Sequence, residues 1–305
     1  MAPAIEPAGD SNRGYLERLF EVGVNHCLPR MVLPPLLPKD PPAGRNIVLG
    51  AGKAAAEMAA VANECLAGQT VGLVVTRYGH GSDASAGSIE VMEAAHPVPD
   101  DRSEEAAERM LKLAASATAD DRVIFMISGG GSALLSAPIA GVSPETKQDI
   151  TRFLLHSGAR INEINCVRKH LSRIKGGGLA HAAAKAELLT FAISDVVGDS
   201  LSDIASGPSM PYERDVDQAT RILEKYGYSR AGEIASLMRK AGQIRAPDHP
   251  AIVAATGGTA VKAITRVVEA DGWTPVVLGD DIEGKATDVG QAHADLALQY
   301  REQGG

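Results

Sequence analysis

Runs of apolar residues alternate with helix-like segments along most of the chain, and this alternation limits the possible folds more than any other feature. Most runs are nearly continuous stretches of Val, Ile, Leu and Met, typical of parallel strands covered on both faces. The alternation predicts an α/β fold with a Rossmann-like, mostly parallel sheet and helices on both faces. The predicted strands are residues 45–50, 71–76, 88–93, 122–128, 187–193, 251–255 and 274–279. The predicted helices are residues 13–24, 54–66, 103–116, 144–156, 163–174, 216–226, 231–241, 259–269 and 283–303.

These predicted elements divide the 305 residues unevenly. Residues 1–12 are small and polar, and we expect a disordered tail. Residues 13–209 would form a large α/β domain with Gly-rich phosphate loops, and residues 210–250 a helical connection. Residues 251–305 would begin a second α/β domain, but two strands and two helices bury too little surface to form a core alone. We therefore expect this second domain to be incomplete.

Charge and cysteine content exclude several classes of protein. The formal net charge of −8 disfavours general binding to nucleic acid or to an anionic membrane surface. No apolar run reaches the length of about 18 residues that a membrane span requires. The three cysteines include no Cys-x-x-Cys pair, which argues against a disulfide framework or a zinc site. A cytoplasmic protein is the simplest expectation.

A glycine turn follows the first predicted strand and opens a helix. It contains Gly50, Gly52 and Lys53 within Gly-Ala-Gly-Lys-Ala-Ala. Glycines let backbone amides approach an anion, the helix N-terminus adds a positive dipole, and Lys53 adds a mobile cation. The turn therefore predicts contact with a phosphate.

Two familiar nucleotide motifs match this turn only in part. A Walker A loop is excluded because its first Gly is missing and Ala54 stands where it requires Ser or Thr. A dinucleotide fingerprint also needs an acidic residue after the next strand to hold the ribose, and that strand ends in Arg77. Because Arg77 could suit a 2′-phosphate, NADP remains an alternative.

A second glycine loop follows the fourth predicted strand and consists of Ser128, Gly129, Gly130, Gly131 and Ser132. Its unshielded amides can wrap phosphate oxygens, and its serine hydroxyls are further donors. Open α/β folds bind their ligands at this position, beyond the carboxyl ends of the strands. We therefore predict that this loop binds nucleotide phosphates.

Basic residues concentrate in one predicted helix. Four of the eight residues 168–175 are Lys or Arg, and Arg168 and Lys175 would share a helix face. In an acidic protein, such a concentration indicates an anionic ligand. We predict that Arg168 and Lys175 bind the substrate carboxylate or nucleotide phosphates.

Acidic and hydroxyl side chains follow the fifth predicted strand. Asp195 stands at the strand end, where it would point into the cleft, and Asp199 follows. Carboxylates there suit Mg²⁺ binding, or a general base acting on a hydroxyl. Turn formation is the alternative for Asp199. A further loop at His96, fixed by neighbouring prolines, is interpreted as structural.

Gly-rich turns, cations and a strand-end carboxylate are together the parts that phosphoryl transfer requires. With these residues, the chain resembles the class II glycerate 2-kinases, the family with a C-terminal MOFRL domain. The likeness extends from about residue 15 to residue 303. The segments that carry it are residues 50–55, 96–100, 128–134, 167–177 and 194–208.

The resemblance implies an ATP- and Mg²⁺-dependent enzyme that converts D-glycerate into 2-phospho-D-glycerate in a cleft between two α/β domains. It matches Lys53 to the family's catalytic lysine and Asp195 to its cleft aspartate. Glycerate and a nucleotide would be the partners, and a homodimer is one expected assembly. Family members are longer, with a Gly/Asp/Thr-rich motif and a cleft arginine that residues 251–305 lack. The resemblance therefore implies a C-terminally truncated chain that binds nucleotide weakly and turns over glycerate slowly or not at all.

Two other functions remain open. An NAD(P)H-dependent hydroxypyruvate reductase would use the partial dinucleotide fingerprint, and some family members carry that name. The missing ribose acid argues against it. The third function is a catalytically silent fragment that binds a nucleotide or another anion. Comparing the binding of MgATP and NADPH, and then measuring turnover, would separate the three.

Overall fold

The computed structural model describes residues 10–81 and 85–302. In this part of the chain, six strands form one sheet in the order β3-β2-β1-β4-β5-β6, and every neighbouring pair is parallel. The tail predicted at residues 1–12 lies mostly outside the described residues, and the first helix begins at Asp10. The strands are β1 Asn46–Ala51, β2 Thr70–Arg77, β3 Ile89–Ala94, β4 Arg122–Ser128, β5 Glu187–Ile193 and β6 Ala251–Ala255.

Helices lie between the strands and cover both faces of the sheet, which confirms the predicted fold class. None of the helices in the described residues is long and apolar enough to cross a membrane. The helices are α1 Asp10–Cys27, α2 Pro29–Val32, α3 Ala55–Cys65, α4 Asp101–Ala115, α5 Gly131–Leu134, α6 Pro144–His156, α7 Ile161–His170, α8 Gly178–Ala182, α9 Val216–Lys225, α10 Ala231–Lys240, α11 Gly257–Ala270 and α12 Ala286–Glu302.

Alternate residues of β1 serve two separate apolar cores. Ile47 and Leu49 face a cluster that includes Met110 of α4, whereas Val48 faces a cluster that includes Met58 of α3. This two-residue period follows from the pleat of a strand. Because both faces are buried, the strand is apolar along almost its whole length, as the sequence pattern predicts.

A third apolar core lies among helices away from the sheet. It is formed by residues of α6, α7, α9 and α10, including Leu154, Val167, Leu223 and Ile234. Residues 210–250, expected to be a helical connection, supply α9 and α10 of this helical layer. The layer therefore fixes α6 and α7, the helices that carry Lys147 and Arg168.

The strand predicted at residues 251–255 has the expected bounds, but it pairs with β5 and extends the first sheet. It was expected to open a second sheet. The strand predicted at residues 274–279 is absent, and Val276 and Val277 are 52% and 55% exposed. A strand needs hydrogen bonds to a neighbouring strand, so an apolar run without such a neighbour stays irregular.

The strand order places a crevice above the middle of the sheet. The chain runs from β1 outward to β2 and β3, and then crosses to β4 on the other side of β1. Connections that leave neighbouring strands in opposite directions open a crevice at the carboxyl ends of those strands, where open α/β folds bind ligands. Both predicted glycine loops follow these two strands.

Candidate active site

The backbone of residues 52–54, here called the lysine turn, is held by its surroundings. Gly52 N donates to Val75 O over 3.1 Å, Lys53 N to Gly129 O over 2.9 Å, and Ala54 N to Ser128 Oγ over 3.1 Å. These three amides are therefore already satisfied within the protein. The turn fixes its lysine, whose side chain is exposed, and offers no free amide nest.

Two glycines let the lysine turn approach the neighbouring strand closely. Gly52 has φ +137°, and a Cβ there would lie 2.1 Å from Ser128 Oγ. Gly50 lies inside β1, where a Cβ would lie 2.5 Å from Met126 O. Both positions exclude any larger residue. Close packing and turn contacts therefore explain why Gly50, Gly52 and Ser128 occupy these positions.

The amides of the second loop, residues 128–132, are differently placed. In the described part of the chain, the backbone N–H groups of Gly129, Gly130, Gly131 and Ser132 donate no hydrogen bond to another residue. Gly130 has φ +85°, a left-handed conformation that favours glycine. Four successive free donors at the carboxyl end of β4 form the kind of concave nest that binds phosphate oxygens.

Three chemically active side chains converge on this glycine loop. A Cβ on Gly129 would lie 1.8 Å from Asp195 Oδ2, so the carboxylate sits directly above that residue. A Cβ on Gly130 would lie 3.2 Å from the His96 ring and 3.4 Å from Lys53 Cε. A carboxylate, an imidazole and an ammonium-bearing chain thus surround two adjacent glycines.

His96 belongs to this site, although its Pro-flanked loop was interpreted as structural. Burial lowers the pKa of His96, with the charges of Lys53 and Arg77 acting in the same direction and that of Asp195 opposing them. The ring is therefore held in its neutral form at pH 7, in which one nitrogen can accept a proton. A single His in a loop is a weak signal by itself, and residues 96–100 stand out in the sequence only as one of the segments that carry the family resemblance.

Arg168 reaches the far end of the glycine loop. Its Nη2 donates to Ser132 Oγ over 2.7 Å, and that hydroxyl lies 2.8 Å from Ser206 Oγ. Ser132 is thus held between α7 and the segment that follows β5. The contact brings Arg168 to the loop, and its role as a ligand of an anionic substrate stays a prediction.

Lys175 has a different role from the one expected. It is 1% exposed, and its Nζ donates to Ser132 O over 2.6 Å and to Leu135 O over 2.9 Å. Predicted helix 163–174 ends at His170, so Lys175 falls in the following turn and points under the loop. It supports the glycine loop from below and does not face the crevice.

A metal ion would find few protein ligands here. The described residues contain no group of three or more His, Cys, Asp or Glu side chains that could hold one. Asp195 is exposed at the end of β5, and Asp199 has a left-handed backbone with φ 52°. Mg²⁺ suits such a site only when phosphate oxygens complete its shell, as is usual in kinases.

Two cavities meet beside Lys53. One, of about 620 Å³, is lined by Arg30, Lys53 and Glu57 among others. The second, of about 700 Å³, also contains Lys53 and is mostly apolar. Both are within the size range of small-molecule sites. The apolar residues of the second cavity include Phe20, Val24, Leu28, Ile193, Ala255 and Ile264.

Comparisons with known proteins agree with this architecture. The family model "Domain of unknown function (DUF4147)" matches residues 15–239. A protein of Agrobacterium vitis named "Putative hydroxypyruvate reductase" is 40% identical over 311 residues, covering 96% of this chain and 67% of its own length. The D-glycerate 2-kinase of Thermotoga maritima is 46% identical over 185 residues, covering 60% of this chain and 44% of that enzyme.

A solved structure shows the same fold. The crystal structure of glycerate kinase from Thermotoga maritima has a TM-score of 0.74 at 34% sequence identity, over 85% of this chain and 63% of that one. The chain thus spans less than two thirds of the length of that kinase. It belongs to the DUF4147 family, which is the class II glycerate 2-kinase family that its motifs resemble.

Proposed function

We propose that this chain carries the site of a glycerate 2-kinase, which transfers the γ-phosphoryl group of ATP to the 2-hydroxyl of D-glycerate and gives 2-phospho-D-glycerate. One observation carries the proposal: Lys53 and Asp195 converge on the glycine loop whose four amides are free. The loop lies at the crevice above β1 and β4, where this fold binds ligands.

Each part of the site has a task in phosphoryl transfer. The free amides of residues 129–132 are donors for phosphoryl oxygens, and the Lys53 ammonium offsets the negative charge that spreads over them. The Asp195 carboxylate accepts the proton of the attacking hydroxyl or holds the metal. Neutral His96 beside it is a second acceptor within the site.

The nucleotide would lie in the cavities beside Lys53. The apolar cavity of about 700 Å³ suits a purine, and its contact with Lys53 would direct the phosphates towards the glycine loop. Asp195, with Asp199 in the same segment, would be the protein ligands of Mg²⁺. When bound, Mg²⁺ would supply positive charge that offsets the negative charge of the transferring phosphates.

The hydroxypyruvate reductase alternative fits the lysine turn poorly. A dinucleotide pyrophosphate needs the amides of the turn after β1. Here those of Lys53 and Ala54 already donate to Gly129 O and Ser128 Oγ. Arg77 also stands where the ribose acid is required. The site therefore gives no support for the reductase activity in the name of the Agrobacterium vitis relative.

Turnover with defined substrates tests the proposal. We expect D-glycerate to increase ADP release from MgATP, and phosphorus NMR to identify 2-phosphoglycerate as the product. A matched reaction with hydroxypyruvate and NADPH should leave NADPH unoxidised. NADPH oxidation without ADP release would overturn the kinase assignment in favour of the reductase.

A further inference from the structure

Three interacting cations, two of which contact the glycine loop, have no counterion among the described residues. This basic cluster consists of Lys147 of α6, Arg168 of α7 and Lys175 of the turn that follows. Lys147 is 7% exposed and Lys175 1% exposed. Among the described residues, no carboxylate oxygen lies within 4.0 Å, the limit for an ion pair, of a side-chain nitrogen of these three residues.

Lys147 is the member whose charge is least satisfied. Arg168 donates to Ser132 Oγ, and Lys175 donates to two carbonyls. The Lys147 ammonium donates no hydrogen bond to another described residue. Burial, with the charge of Arg168 acting in the same direction, lowers the pKa of Lys147 to about 8. Burial lowers the pKa of Lys175 well below its ordinary value, and the charges of Lys147 and Arg168 act in the same direction, so the three charges interact.

The acidic group that attracts Lys147 does not neutralise the cluster. Glu104 of α4 attracts Lys147, yet burial raises the pKa of Glu104 more than Lys147 lowers it. A close ion pair would have the opposite result for the carboxyl group. Keeping several like charges out of water is costly unless an opposite charge joins them. The cluster therefore has the composition of an anion site.

The position of the cluster selects which anion it would bind. Arg168 and Lys175 both contact Ser132, at the end of the glycine loop away from Gly129. Lys53 and Asp195 contact the loop at Gly130 and Gly129. An α-hydroxy acid carries its carboxylate one carbon from its reacting hydroxyl, so it can reach both ends of this short loop together.

We propose that Lys147, with Arg168, binds the carboxylate of the acceptor substrate, and that Lys175 holds the loop in place between them. The proposal deepens the proposed function and rests on it, because it names the half of the crevice that recognises the acid. Lys147 is then a specificity-determining residue: it distinguishes a hydroxy acid from the corresponding polyol.

Binding of D-glycerate, measured by calorimetry on the 305-residue chain, tests the proposal. In Lys147→Met, which keeps length and removes charge, we expect affinity to fall by about tenfold to a hundredfold, as for loss of a charged hydrogen bond. The matched control is Lys112→Met, an exposed lysine of α4, which should bind like the unmodified chain. Glycerol, which lacks the carboxylate, should not bind measurably.

Binding of MgATP and of inorganic phosphate tests whether the cluster binds the substrate carboxylate or a phosphate. MgATP affinity should be unchanged in Lys147→Met, and inorganic phosphate should not compete with D-glycerate. Equal loss of MgATP and D-glycerate affinity would assign the cluster to the nucleotide and overturn the proposal. Unchanged D-glycerate affinity in Lys147→Met, or no D-glycerate binding by the unmodified chain, would also overturn it.

Stability separates recognition from packing. Because Lys147 is an uncompensated charge without ligand, Lys147→Met should raise the midpoint of thermal unfolding while it weakens D-glycerate binding. A lower midpoint would indicate a packing role and contradict the proposal. If D-glycerate binding depends on Lys147 but no ADP forms, the kinase reaction is rejected and the carboxylate site stands. If ADP forms but Lys147→Met binds D-glycerate as the unmodified chain does, the carboxylate site is rejected and the kinase reaction stands.

Discussion

Lys53 is positioned by its backbone, because its N–H donates to Gly129 O and its carbonyl accepts from Thr76 Oγ1. Its exposed side chain makes no contact on which the turn depends. Lys53→Ala should therefore leave the fold intact and lower kcat by about a hundredfold or more, since a cation on the transferring group is worth several kcal/mol. Steady-state kinetics measures the effect, with circular dichroism as the control for folding. Activity within about threefold of the unmodified chain would remove Lys53 from the mechanism.

Gly129 offers a way to displace Asp195 without altering its charge. A Cβ at Gly129 would lie 1.8 Å from Asp195 Oδ2, and Gly129 has no positive φ, so the added methyl strikes the carboxylate first. Gly129→Ala should therefore lower kcat as strongly as Asp195→Asn, with nucleotide affinity less affected. The matched control is Gly232→Ala at an exposed position of α10, where an added Cβ would have no atom within 4 Å. Full activity in Gly129→Ala would contradict a catalytic Asp195.

The basic cluster makes stability depend on pH. Folded Lys147 loses its proton near pH 8, whereas an unfolded lysine does so near about 10.4. Between these values the unfolded chain binds more protons, so the free energy of unfolding should rise with pH, and Lys175 acts in the same direction. Relative to Lys147→Met, the unmodified chain should gain about 1 to 3 kcal/mol between pH 7.5 and 9.5. Urea unfolding at both pH values measures the difference. A constant difference would show that Lys147 titrates normally.

The sequence predicts part of this site for a physical reason. Lys53 and Asp195 each follow a strand directly, and the carboxyl ends of parallel strands meet at one edge of the sheet. Lys147 gives no such signal, because it lies within an amphipathic helix and only tertiary packing buries it. The amides of the lysine turn look free in sequence, and only the contact with the second loop shows that they are used.

Local patterns also predict most helices and strands well, because long apolar runs and helix caps act over a few residues. For example, the predicted bounds of β4 and α6 match the structure, and Ser143 caps α6 by accepting from Thr146 N over 3.2 Å. The strand predicted at residues 274–279 fails because a strand needs a partner, which a local pattern cannot supply. Pairing is therefore the part that the sequence leaves undetermined.

Adjacent leucines of α6 test how far the helical layer supports the site. Leu154 is fully buried in the third apolar core, whereas Leu155 is 59% exposed. Leu154→Ala should lower the free energy of unfolding by about 2 to 5 kcal/mol through lost burial and a cavity. Leu155→Ala should change it by less than about 0.5 kcal/mol. Urea unfolding of both variants measures the contrast. Equal losses of the free energy of unfolding would show that the Leu154 face of α6 is not packed in the core.

The strand order gives the whole molecule its functional geometry. In the order β3-β2-β1-β4-β5-β6, the crevice lies between β1 and β4, and β5 brings Asp195 to the same edge. The sequence predicts parallel strands but not this order, which depends on where each crossover packs. For the same reason, β6 was expected in a second sheet.

The pairing of β6 with β5 also bears on how the chain folds. Residues 194–250 separate the two strands, and β6 is the last strand of the sheet in the sequence. A chain is synthesised from its N-terminus, so β6 emerges after the five strands with which it forms the sheet. During synthesis, the glycine loop, Lys53 and Asp195 can thus come together before the sheet gains its last strand. The catalytic edge would be assembled early, and β6 would close an already formed structure.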